Sequence, residues 1–180
     1  MATVSEAFLK LVEIASRSRE SASDLPSKTE VETHWSGIGF TLGGVRYVAP
    51  MGEVAEILRV PRYTQVPGVR TWVKGVSNVR GRLLPIMDLM SFFDKASAFQ
   101  VRQRRLLVID KGDLYSGLVV DEVLGMQHFP MASFDDNPQD IEQEMAPFLQ
   151  GSYHRERDGR WLVFSLHKLS DDPRFMHVAS

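Results

Sequence analysis

The 180 residues contain no cysteine. Disulfides, thiol nucleophiles and thiolate metal sites are therefore excluded, and a reducing compartment is permitted. An excess of charge is missing too: 21 Lys and Arg stand against 23 Asp and Glu, a formal net charge of −2. That balance gives no bulk attraction to nucleic acid or to an anionic membrane. No apolar run approaches the roughly 20 residues that span a bilayer. The first residues lack a basic start, and Glu6, Lys10 and Glu13 interrupt any apolar core of signal-peptide length. The expectation is a cytoplasmic chain without direct membrane insertion.

The patterns of reaction chemistry are also missing. His34, His128, His154, His167 and His177 are scattered, with no His-x-x-x-His pair to hold a metal. Asp135 to Asp140 lacks the glycine and terminal glutamate of a calcium loop. Gly75-Val-Ser77-Asn-Val79 lacks the closing glycine of a serine-hydrolase elbow. Gly37-Ile-Gly39 has neither the third glycine nor the following helix of a nucleotide site. No catalytic residue, cofactor or metal is expected, and the chain does not look like an enzyme.

What is present is a succession of short apolar runs punctuated by glycine. Apolar content is 43% and charged content 24%, ordinary for a globular protein. Val4, Phe8, Leu11, Val12 and Ala15 recur at helical spacing, predicting a helix over residues 4–18 that docks on its own domain, frays or meets a partner. Residues 19–34 are too polar to bury a core and are expected to be linker. From Trp35 the period becomes strand-like. Gly43-Gly44 marks one hairpin turn, Lys111-Gly112-Asp113 another and Asp158-Gly159 a third. A strand over Glu53–Val60 would place Val54, Glu56 and Leu58 on one side. Gly117 suggests a bulge or a close backbone approach. The acidic stretch 131–147 suits a short helix through Ile141 and Met145. About ten short strands predict an all-β fold with minor helix.

The most informative stretch is Gly68 to Asp88. Two strands, Val73–Val79 and Leu83–Asp88, flank Arg80-Gly81-Arg82, where Gly81 can supply a positive φ. Asn78 suits turn bonding. Pro85 has no N–H, so its strand should be an edge or near the end of its pairing. Asp88 is placed to cap a helix beginning at Leu89. A planar guanidinium with five donors, at Arg80 or Arg82, suits recognition of carboxylates and carbonyls.

The ordered run Trp72-Val-Lys-Gly75-Val-Ser-Asn78-Val-Arg80-Gly81, then Pro85 and Asp88-Leu89, resembles the signature of CheW-like domains. The likeness covers residues 35–170. It implies two SH3-like five-stranded barrels split near residue 94, preceded by the helix and linker of residues 1–34 and followed by a tail at 171–180. It also implies a non-enzymatic scaffold joining the cytoplasmic tip of a methyl-accepting chemoreceptor to the regulatory domain of a CheA-type histidine kinase. By resemblance Val54, Glu56, Ile57, Gly75 and Arg80 fall in the receptor-facing region, with no residue assigned to the kinase. The N-terminal extension and the acidic insert are similar to the branch serving type IV pilus twitching motility. A general flagellar chemotaxis coupler is the alternative. An alternative of another class, a nucleic-acid-binding small barrel, rests on Arg102, Arg104 and Arg105, which otherwise mark a solvent-facing strand entry.

Overall fold

The computed structural model describes residues 33–180. The expected helix at 4–18 and nearly all of the linker at 19–34 lie outside the described residues. Eleven strands follow in the described chain: β1 (His34–Leu42), β2 (Val45–Pro50), β3 (Glu56–Arg59), β4 (Val73–Val79), β5 (Arg82–Asp88), β6 (Arg105–Lys111), β7 (Leu114–Val120), β8 (Glu122–Pro130), β9 (Phe134–Asp135), β10 (Leu149–Arg155) and β11 (Gly159–Phe164). Three short helices are interspersed: α1 (Leu89–Phe92), α2 (Leu166–Ser170) and α3 (Pro173–Met176). The all-β fold with minor helix is what the strand count predicts.

The sheets do not divide at residue 94. One has six strands in the order β8-β1-β2-β11-β10-β9, the other five in the order β3-β6-β7-β5-β4. The amino-terminal hairpin therefore joins the carboxy-terminal strands, while β6 and β7 join β3 to β5. Four long-range pairings build this interleaving: β2 with β11 and β5 with β7, both parallel, and β1 with β8 and β3 with β6, both antiparallel. All four are long-range contacts that local pattern does not reveal.

Alternation along the strands serves two cores at once. In β6, Leu106 and Val108 enter a cluster inside the five-stranded sheet, while Leu107 and Ile109 face a shared central cluster. In β11, Trp161 and Val163 fill the six-stranded sheet, while Leu162 and Phe164 join the same central cluster. Burial on both faces explains why these strands are continuous apolar runs instead of alternating ones. Phe92 of α1 and Phe93, which caps its end, meet Phe148 and Phe164 with ring centroids 5.7–6.4 Å apart.

Several expectations change. Val54 packs against the central cluster whereas Leu58 lies inside the five-stranded sheet, so they do not share a side. The 3-10 turn Met51–Glu53 ends at Val54, and the period of two begins only at Glu56. Residues 131–147 form no α-helix: a 3-10 turn at Met131–Ser133, the two-residue β9, an Asx turn at Asp135 and the start of a second 3-10 turn at Ala146–Phe148 occupy them, and Met145 is buried. The predicted tail at 171–180 is built in, with Phe175 of α3 fully buried and Ala179 bridged to Val69. Gly117 is a close approach, since a Cβ there would lie 2.8 Å from the Leu106 side chain. Pro85 lies in an interior strand, one residue before pairing to β7 begins at Ile86, so its missing N–H removes no bond from that ladder.

Candidate partner-binding surface

The β4–β5 turn is two residues long, and both have positive φ, 52° at Arg80 and 83° at Gly81. This is the backbone twist that a two-residue hairpin favours, and glycine, asparagine or aspartate normally supplies it. Arginine at the first position is a strained choice, costing on the order of 1 kcal/mol. Asn78 supports the turn by accepting from the Gly81 N–H at 2.9 Å.

The Arg80 side chain reaches across to β3. Its two terminal nitrogens donate to both carboxylate oxygens of Glu56, at 3.0 and 2.5 Å. The Arg80 side chain is 75% exposed, so this pair contributes only about 0–1 kcal/mol to stability. What it does is orientation: the carboxylate fixes the guanidinium plane, and the donors not directed at Glu56 face solvent. Two of the sequence-derived site residues, 24 positions apart, are thus brought into direct contact. Ile57, beside Glu56 on β3, is 39% exposed, and Leu83, paired with Asn78 across the hairpin, is 70% exposed. Sequence alone did not single out Leu83, because an apolar residue in a strand is expected inside. Arg82 lies over the Tyr115 ring at 3.7 Å and pairs with Asp110 at 2.8 Å, which fixes it to the sheet surface.

Gly75 presents no side chain and is buried. Its part is geometric. Past β3 the chain returns to the free edge of β4, where Thr64 and Val76 exchange two backbone hydrogen bonds of 2.9 Å and close the five-stranded sheet. Ser77 adds a bond to the Arg62 carbonyl at 2.9 Å. Gly75 has φ 150°, and a Cβ there would stand 2.2 Å from the Thr64 oxygen. Val54 is half-buried against the central core and supports the start of β3.

A buried ionic network lies behind the hairpin. Arg104 is 3% exposed and donates to both oxygens of Asp88 at 2.8 Å, while its Nε stands 3.4 Å from Asp121. Asp88 caps α1 through the Met90 and Ser91 N–H groups. Asp121 accepts from the Gly43 N–H at 2.8 Å and from the Ser97 hydroxyl, tying the β1–β2 turn to the loop after α1. Burial pushes the Asp88 carboxyl up. The Arg104 hydrogen bonds and charge, with the Ser91 N–H and Lys74, outweigh it and hold Asp88 below the usual carboxylate range. Arg104 is therefore neither a solvent-facing residue nor free to meet a phosphate, and the nucleic-acid alternative loses a residue it rested on. Among the described residues no cluster of His, Asp and Glu could hold a metal ion, and no helix is long and apolar enough to cross a membrane.

The CheW-like domain family matches residues 36–174. Protein PilI of Pseudomonas aeruginosa is 51% identical over 179 residues, covering 99% of each chain. Protein FrzA of Myxococcus xanthus is 36% identical over 93 residues, covering 52% of this chain and 58% of FrzA. Among solved structures, the scaffolding protein TtCheW from Thermoanaerobacter tengcongensis superposes with a TM-score of 0.66 at 20% identity, over 79% of this chain and 96% of that one.

Proposed function

The chain belongs to the CheW-like domain family, and we propose that it is a non-enzymatic adaptor coupling a methyl-accepting chemoreceptor to a CheA-type histidine kinase, in a pathway controlling type IV pilus twitching motility. Full-length similarity to PilI favours the pilus branch over a general flagellar coupler. The observation that carries the receptor-binding assignment is the Glu56–Arg80 pair, a strained and exposed arginine held in one orientation, with Ile57 of β3 and Leu83 of β5 also exposed. A preoriented arginine is among the residue types expected at the energetic centre of a modest interface. The adaptor contributes no reaction step. It holds two cytoplasmic partners in fixed geometry, so that a change in the receptor biases the kinase between two states.

Replacing Arg80 with alanine tests this. Receptor-tip binding is expected to fall at least about tenfold, as for an arginine at an interface centre. The melting temperature should move by less than about 4 °C, because the pair lost is exposed. Arg80→Gly should lose binding equally while relieving the strained turn, and so melt no lower than the alanine variant. Unchanged binding, or unfolding of both variants, would show that Arg80 serves the turn alone.

A further inference from the structure

A second surface lies at the opposite end of β4 from Arg80. Seven strand residues separate the two ends, on the order of 20 Å. There a cavity of about 350 Å³ is lined by Arg70, Trp72, Pro173, Arg174 and His177. Its aromatic part is rigid: Trp72 meets Phe92 edge-on at 5.3 Å, and Phe92 meets Phe175 edge-on at 5.6 Å. The cations are held against these rings, Arg70 5.9 Å over Trp72 and Arg174 5.0 Å over Phe92. Only the Nε atoms of the two arginines are engaged, Arg70 with the Ala179 carbonyl at 3.0 Å and Arg174 with Asp172 at 3.7 Å. The nearby Asp172 carboxylate already accepts from the Arg174 and Phe175 N–H groups at the start of α3. Among the described residues, the terminal nitrogens of both guanidiniums and the His177 ring have no protein partner.

We infer that this cavity is a docking site for an acidic peptide segment of a protein partner, one that places a carboxylate side chain between Arg70 and Arg174 and an apolar neighbour against Trp72. Two arginines whose terminal nitrogens are left open, against the single nearby carboxylate of Asp172, make a locally basic spot on a chain of net charge −2, which favours a carboxylate. The cavity is much larger than an inorganic anion and has an aromatic wall, which selects a side-chain-bearing ligand over a free ion. Because the site is remote from Arg80, both surfaces can be occupied at once.

The test is a titration of the full chain with a capped Gly-Glu-Phe-Glu-Gly peptide, its amide isostere Gly-Gln-Phe-Gln-Gly, and inorganic phosphate. Binding is followed at the Trp72 indole N–H resonance, assigned with a Trp72→Phe variant. The acidic peptide should shift that resonance saturably, the isostere should bind at least about tenfold more weakly, and added salt should weaken the acidic peptide further. The Arg70→Ala/Arg174→Ala variant should lose the acidic peptide to the same degree. Equal binding of the isostere, undiminished binding to the double variant, or no shift with the acidic peptide would each overturn the proposal. Phosphate binding as tightly as the acidic peptide would also overturn it, by identifying a small-anion site. The isostere comparison uses the unaltered chain, so it decides the matter even if the double variant fails to fold.

Discussion

Arg104→Ala is expected to destabilise the domain by about 3–5 kcal/mol, because it leaves Asp88 and Asp121 buried without their cation. In a chain of this size that lowers the melting temperature by about 6–20 °C. Surface arginines such as Arg80 should cost far less, and the contrast separates the two roles. The network also sets a pH dependence. In the folded protein the Asp88 carboxyl holds its proton less tightly than in the unfolded chain. Its contribution to stability is therefore present above the unfolded carboxylate value near about 4 and is lost as pH falls through the folded value. Without Arg104, burial is opposed only by the Ser91 N–H and Lys74, so the lowering of the folded carboxyl, and with it the loss of stability on acidification, shrinks. Denaturant melts across the acidic range should show unaltered protein losing stability on acidification while the variant loses less of it. Asp88→Asn in the Arg104→Ala background should recover part of the loss, since asparagine carries no charge and can still cap α1. A variant as stable as the parent would contradict the burial of this network.

Gly75→Val should cost about 3 kcal/mol, a sum of backbone strain at positive φ and loss of the two Thr64–Val76 bonds. The melting temperature should drop by about 6–12 °C. The consequence for binding is indirect: opening the sheet edge moves Glu56 relative to Arg80, so the proposed receptor surface is expected to be lost together with stability. Hydrogen exchange at the Thr64 and Val76 amides would report the opening directly, with fast exchange confined to that edge before the sheet as a whole unfolds. A Gly75→Val protein with parental stability and slow exchange at both amides would contradict the geometric role of this glycine.

The local chemistry of the central hairpin is readable in the chain. Gly81 supplies the turn, Asn78 bonds it, Asp88 caps α1 and Pro85 sits just before its pairing to β7, each acting within a few residues of itself. The pairing of Glu56 with Arg80 is not readable from charge alone, since many opposite charges could meet; the family resemblance brought both residues forward without the contact between them. Arg104 illustrates the converse. A basic residue at the entrance to a strand looks solvent-facing, and only the packing of α1 and the β7–β8 junction around it shows that it is buried with two carboxylates. The interleaved sheets are hidden for a similar reason. Hairpin turns announce antiparallel neighbours, whereas the parallel pairings of β2 with β11 and β5 with β7 leave no local mark. The acidic stretch misled because Ile141 and Met145 have helical spacing, yet they anchor an irregular segment to the core one at a time.

The proposed bridging role is tested most directly by calorimetry of the full chain with the regulatory domain of a CheA-type kinase and with a chemoreceptor cytoplasmic tip, both from the same organism, alone and together. The account predicts saturable binding to each partner, and binding of the receptor tip to the preformed kinase complex that Arg80→Ala weakens selectively. Failure to bind either partner, or mutually exclusive binding of the two, would contradict it.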